Sequence, residues 1–157
     1  TTIVGNHCLI MAYAHVAHDC KLGDRIILGN TTQLAGEVVV DDWAIVSGGT
    51  LVHQFCHLGA HIMVQGGSKI TKDIPPYMMV GREPLGYMGL NIVGLRRRGF
   101  IAEQMNAIQE SYRYVYLFGL NISQALVAIE KNILKFAREI ESKLYVELRE
   151  RDFSTLI

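Results

Sequence analysis

The sequence has no net charge: 15 Lys and Arg stand against 15 Asp and Glu. A chain without a basic excess carries no electrostatic footprint for nucleic acid or for an anionic membrane surface. It also has no long apolar run. Half of its 157 residues are hydrophobic, yet the densest patch, VYLFGL, falls far short of the ~20 apolar residues that span a bilayer. No signal-peptide pattern is visible. Cysteine is scarce and odd in number, three in all, which supports no disulfide framework and fits a reducing cytoplasm. There is no initiator Met; the chain opens on TTIVGNH and is expected to be the C-terminal part of a longer protein.

What the sequence does have is a period. From Val4 it reads in hexads without insertion: VGNHCL, IMAYAH, VAHDCK, LGDRII, LGNTTQ, LAGEVV, VDDWAI, VSGGTL, VHQFCH, LGAHIM, VQGGSK, ITKDIP. The first position of every hexad is Val, Ile or Leu, and the fifth is small or β-branched throughout. Alternation of this kind suits short strands, and a sustained six-residue repeat is a solenoid signature. The expected fold is mainly β, a parallel β-helix of triangular section with the first residue of each hexad pointing inward. Three hexads make a coil of 18 residues, which places residues n and n+18 about 4.8 Å apart in neighbouring coils.

After residue 98 the period becomes helical. Ile101, Met105, Ile108, Tyr112 and Val115 recur at helical spacing, with Gly119 as a stop. A second helical run is expected from an Asn121 cap, with an apolar stripe from Ile122 to Leu148. The organisation expected is a β-helix over 1–80, a connecting loop over 81–98 and an α-helical region over 99–157.

The 18-residue interval sorts the polar residues. His18, Gly36, Gln54 and Lys72 fall in one column, Asp19, Glu37 and Phe55 in the next, and Ala17, Ala35 and His53 in the one before. An imidazole, a glycine whose N–H can approach a ligand and a second imidazole therefore converge on one edge, within roughly 10 Å. The same arithmetic disposes of decoys. His53, His57 and His61 mimic a helical metal stripe, but in the hexad register they point in different directions. Cys20 and Cys56 share a column two coils apart, too far for a disulfide; with Cys8 they read as small inward packing residues.

AHVAHDC, TQLAGEVVVDDWAIVSGGTLVHQFCHLGAH, DIPPYMMVGREP and GLNIVGLRRRGF together resemble the UDP-N-acetylglucosamine O-acyltransferases that begin lipid A synthesis in Gram-negative bacteria. The hexads alone indicate only the wider left-handed β-helix acyltransferases; VHQFC and NIVGLRRRGF are more specific. The resemblance implies transfer of a 3-hydroxyacyl chain from acyl carrier protein to the sugar nucleotide's 3-hydroxyl. It implies no cofactor, since the phosphopantetheine thioester of the carrier is a co-substrate, and no metal. His18 matches the general base, Asp19 its orienting acid, and Gly36 the position whose N–H faces the oxyanion. His15 is read as a supporting or substrate-lining residue. His53 and Gln54 match substrate contacts; Asn91, Arg97 and Arg98 match residues that hold the nucleotide. Gly66 and Pro84 match positions along the acyl chain. The resemblance also implies a homotrimer with sites between adjacent prisms.

Three positions depart from the family's pattern. Glu37 stands where His is common, putting two carboxylates in one column; either one pKa rises or Glu37 engages substrate. Val93 stands where Glu is frequent, and Pro84 where His is frequent. Chain-length preference is thereby open, and a longer tail is expected than in relatives with a larger floor residue.

Overall fold

The computed structural model describes residues 1–116, 118, 123–125 and 127–128. Two compact units divide between Asn91 and Ile92. The first is a left-handed parallel β-helix. Its strands are Ile3–Val4 (β1), Leu9–Ile10 (β2), His15–Val16 (β3), Lys21–Leu22 (β4), Ile27–Leu28 (β5), Gln33–Leu34 (β6), Val39–Val40 (β7), Ile45–Val46 (β8), Leu51–Val52 (β9), His57–Leu58 (β10), Met63–Val64 (β11) and Lys69–Ile70 (β12). They stack in three parallel sheets, β1-β4-β7-β10, β2-β5-β8-β11 and β3-β6-β9-β12, and every pairing joins residues 18 apart.

A two-residue strand can hold this shape only if the chain turns sharply every six residues. The fourth position of the hexads does so. His7, Tyr13, Asp19, Arg25, Thr31, Glu37, Trp43, Phe55 and His61 have φ between 56° and 66°, and Gly49 and Gly67 lie at 72°. The left-handed conformation costs a non-glycine residue roughly 1–2 kcal/mol. From Leu22 on, each hexad also buries two inward side chains, at about 1.5–3 kcal/mol apiece for the larger aliphatics, so burial outweighs the corner's cost. The corners are tied as well: the N–H of Glu37 donates to the carbonyl of His18 (3.0 Å), that of Phe55 to Gly36 (3.2 Å), and that of Trp43 to Asp24 (2.9 Å).

The core consists of the first and fifth hexad positions. Leu28, Leu34, Val38, Val46, Leu58, Ile62, Val64 and Ile74 are fully buried. One inward column is polar, and its hydroxyls are used locally: Thr50 Oγ1 donates to the Ser47 carbonyl (2.7 Å) and Ser68 Oγ to the Gln65 carbonyl (2.6 Å). Cys20 and Cys56 are buried and all three cysteines are free; burial pushes the Cys56 thiol up to about 11.

Two columns at one corner carry further links between coils. Arg25 Cζ lies 4.8 Å from the Trp43 ring centre, Trp43 stacks on His61 at 6.3 Å, and His61 on Tyr77 at 5.6 Å. Beside them the N–H of Asn6 donates to Asp24 Oδ1 (2.6 Å) and the N–H of Asp24 to Asp42 Oδ1 (2.8 Å).

Residues 81–98, expected as a connecting loop, carry regular structure instead. Met78–Gly81 (β13) runs parallel to β11, and Gly86–Leu90 (β14) folds back antiparallel on β13. The hexad register ends before this hairpin, so the interval of 18 carries no information about it. The second unit begins with helix α1, Ile92–Arg97, also inside the expected loop, followed by α2, Ala102–Tyr116. Met105, Ile108 and Tyr112 are buried as the helical spacing requires. The N–H of Ile101 donates to Gln104 Oε1 (3.0 Å), half of a capping box. Gly119, Asn121, Ile122 and almost all of the second helical run lie outside the described residues; Ser123–Ala125, Val127 and Ala128 are helical. No described helix is long and apolar enough to cross a membrane.

The Asp24 carboxyl is held below its ordinary value, foremost by the Asn6 N–H. A folded pKa below the unfolded one stabilises the fold above the ordinary carboxylate range, and that contribution is lost as pH falls through the folded value. Asp24→Asn should therefore lower the melting temperature near neutrality and leave it unchanged at about pH 2. Thermal unfolding of both proteins from about pH 7 to about pH 2 checks the convergence.

Candidate functional site

The corner between β3 and β4 brings together most of the residues singled out by the column arithmetic. His18 occupies the third hexad position there, and its side chain is 75% exposed. Its Nδ1 lies 3.1 Å from Asp19 Oδ2. With the Nδ1 proton donated to that carboxylate, Nε2 is left with a lone pair, the arrangement a proton acceptor requires. Asp19 holds its position through the left-handed corner, at φ 57°.

Gly36 lies one coil above His18. A Cβ built on it would stand 2.6 Å from both Cε1 and Nε2 of the imidazole. The backbone of Gly36 is not in the left-handed region, so the requirement for glycine is contact with the ring, not φ. Among the described residues nothing accepts from its N–H, while its carbonyl accepts from Phe55. The Gly36 backbone, whose N–H has no acceptor among the described residues, and the His18 imidazole therefore lie against one another at the corner. Such a pair can take a proton from a nucleophile and hold charge on a carbonyl oxygen.

His53 and Gln54 follow one coil further up, both exposed. His53 donates its own N–H to Ile70 (2.8 Å), and its Nδ1 lies 3.1 Å from the Gln54 carbonyl. His15 is exposed on β3, one step before the corner and in register with Gln33. Glu37 and Phe55 complete the corner column, both exposed.

Other candidates stand elsewhere. Gly66 is on the corner between β11 and β12, where an added Cβ would meet the Gly48 carbonyl at 3.1 Å. Pro84 is exposed in the turn between β13 and β14. Asn91 is buried, its side-chain amide donating to the His61 carbonyl (2.9 Å) and its N–H to Tyr77 (2.8 Å); part of its polar capacity holds the hairpin in place. In the second unit Arg97 is exposed at the end of α1, and Arg98 follows with its N–H donated to Leu95 (3.0 Å). Burial lowers the Arg98 guanidinium from its usual range. Val93 is exposed on α1.

The three histidines of the apparent metal stripe do diverge. His57 Nε2 pairs with Asp41 Oδ2 at 2.8 Å, His61 lies between Trp43 and Tyr77, and His53 faces the Gln54 carbonyl. Among the described residues no three His, Cys, Asp or Glu side chains are grouped to hold a metal ion. The half-buried His57–Asp41 pair was not anticipated. It joins the sixth position of one hexad to the second position of another, a diagonal that column arithmetic passes over.

Residues 73–147 match the family described as UDP-N-acetylglucosamine O-acyltransferase, domain 2, and residues 1–36 match the bacterial transferase hexapeptide repeat. The acyl-[acyl-carrier-protein]--UDP-N-acetylglucosamine O-acyltransferase of Ectopseudomonas mendocina is 49% identical over 135 residues, 86% of this chain and 52% of that protein. The crystal structure of the UDP-N-acetylglucosamine acyltransferase of Bacteroides fragilis superposes with a TM-score of 0.89 at 45% identity, covering 92% of this chain and 56% of that one. The corresponding structure from Acinetobacter baumannii gives 0.88 at 35% identity, covering 94% and 57%. The chain spans about half the length of the curated relatives it matches.

Gly36→Ala tests the corner directly. The added methyl should turn the His18 ring away from Asp19 without unfolding the coil, because the ring is mostly solvent-exposed. A displacement of about 1 Å would lower any His18-dependent turnover on the order of 10²-fold. A variant crystal structure with the ring in place would count against the reading.

Proposed function

Because the chain belongs to the UDP-N-acetylglucosamine O-acyltransferase family, we propose that the native protein transfers a 3-hydroxyacyl chain from acyl carrier protein to the 3-hydroxyl of UDP-N-acetylglucosamine, the opening step of lipid A synthesis. The observation that carries this reading is the His18–Asp19 pair with the Gly36 backbone closely packed on the imidazole.

The sugar hydroxyl attacks the thioester carbonyl carbon as His18 Nε2 takes its proton. The imidazolium is held by the Asp19 carboxylate at its Nδ1. The oxyanion meets the Gly36 N–H. When the C–S bond breaks, the departing carrier thiolate takes the proton back from His18. The ester is formed, the imidazole is neutral again, and no enzyme-bound acyl group is required. His15, His53 and Gln54 are the proposed sugar contacts at this corner, with Arg97, Arg98 and Asn91 for the nucleotide. A guanidinium pair suits a diphosphate. Gly66 and Pro84 are assigned to the acyl chain. The carrier's thioester is a co-substrate, so the reading needs no cofactor. The unpaired cysteines support a cytoplasmic setting.

A homotrimer is part of the proposal, and the outward residues of the three sheets support it. On one face they are Ile3, Lys21, Val39 and His57; on another, His15, Gln33, Leu51 and Lys69. On the third they are Leu9, Ile27, Ile45, Met63 and Met79, an unbroken apolar row. A monomer gains nothing from such a row in water, whereas a self-association face would bury it.

Two experiments test these assignments. His18→Ala should lower acyl transfer about 10²–10⁴-fold, the usual contribution of a general base, with the circular dichroism spectrum unchanged; full activity would refute the base. Ile45→Glu, at the middle of the apolar row, should convert a trimer to monomers by light scattering. An unchanged mass would remove that face as the interface.

A further inference from the structure

The proposed reaction gives His18 a defined proton state and leaves that of the second imidazole, His53, open. His53 Nδ1 lies 3.1 Å from the backbone carbonyl of Gln54. A carbonyl oxygen has no hydrogen to give, so the hydrogen in that contact belongs to Nδ1. In the neutral ring Nε2 is then bare and can only accept. The backbone around the ring is held: the His53 N–H donates to the Ile70 carbonyl (2.8 Å), and the Phe55 N–H to that of Gly36 (3.2 Å). His53 is exposed, and among the described residues its ring makes no other hydrogen bond or ion pair. Ala35 lies directly below it in the column. The charged or titratable groups around it are Lys69 and Lys72 in the coil above, Glu37, Asp19 and His18 in the coils below, and His57, which pairs with Asp41.

We infer that His53 holds a substrate hydroxyl as a hydrogen-bond acceptor, through Nε2, and does so only while its ring is neutral. This inference rests on the acyl-transfer reading above, which brings substrate to this corner. A bare ring nitrogen excludes groups that only accept, such as the diphosphate of the nucleotide, and selects groups with a hydrogen to give. In that reaction a hydroxyl has two sources, the sugar ring and carbon 3 of the acyl chain, and both offer the same hydrogen. Protonation reverses the polarity of the contact, because both nitrogens of an imidazolium donate. His18 has the same sense, with Nδ1 turned to Asp19 and Nε2 left to take a proton. The corner therefore works with two neutral imidazoles. His18 removes a hydrogen, and His53 only holds one.

The experiment compares native protein, His53→Gln and His53→Lys. It measures KM for UDP-N-acetylglucosamine, for 3-hydroxyacyl carrier protein and for the same donor without its 3-hydroxyl. His53→Lys, which can only donate, should raise the KM of the substrate that supplies the hydrogen about tenfold. His53→Gln, whose amide oxygen can take that hydrogen, should raise it less. A rise for the sugar nucleotide names the sugar as the source; a rise for the hydroxylated donor alone names the acyl chain. In acid, kcat/KM of the native protein should fall with two protons, one per imidazole, and that of His53→Gln with about one. Equal losses in the two variants, unchanged KM values, or the same proton order in native protein and His53→Gln would overturn the inference. Nitrogen-15 NMR of the imidazoles at about pH 8 reads the ring without turnover: the Nδ1–H form is expected for His53, assigned by its loss in His53→Gln, and the Nε2–H form would also overturn it. Absence of transfer by the native protein would instead refute the acyl-transfer reading, while the spectrum still reports on His53.

Discussion

Everything in the β-helix depends on hydrogen bonds between neighbouring coils. Strand N–H groups donate to the next coil, as Ile27 does to Ala44 and Leu51 to Ser68, while corner N–H groups donate back, as Glu37 does to His18 and Gly49 to Asn30. From β1 to β12 both sets repeat because each coil has 18 residues, and only the last coil, which pairs Met63 with Met79, is shorter. A strand of two residues would be worthless alone; stacked in this register, it satisfies its polar backbone while its neighbours fill the interior. The left-handed corners are tolerated because the alternative is to lose both sets of bonds.

The candidate site follows from that same register. His18 and Gly36 are far apart in sequence yet adjacent in space, and the imidazole occupies the room that a side chain on Gly36 would need. Asp19 takes its orientation from the corner itself. The chemistry is thus assembled from positions whose backbone is already determined by stacking, so little side-chain ordering remains to be achieved when a substrate arrives. Rigid placement of this kind is what a base and an oxyanion donor need.

Much of this is legible in the sequence, because the interval of 18 converts sequence into columns. It placed Gly36 over His18, set Cys20 and Cys56 in the interior without a disulfide, and separated His53, His57 and His61. It was silent wherever an interaction leaves the columns. The His57–Asp41 pair runs diagonally across one face. The hairpin of β13 and β14 begins where the hexads end, and its pairing is antiparallel, so no shift of 18 could reveal it. The short helix α1 fell inside a stretch read as loop because six residues are too few to display a helical period. The Arg25–Trp43–His61–Tyr77 stack could have been found: three of its members recur at 18, in the fourth position of their hexads.

The corner hydrogen bonds also bear on how such a chain can change over time. A residue inserted within a strand between His18 and Gly36 would change their interval of 18 and separate the two. A deletion would do the same. Lengthening is harmless only at a corner, where a bulge can leave the 18-residue columns on either side intact, or in steps of a full coil added beyond the site. Variation in this architecture is thereby channelled into substitution at fixed addresses. Glu37, in the corner column that also holds Asp19 and Phe55, is such an address: its side chain can be exchanged without moving the atoms that surround it.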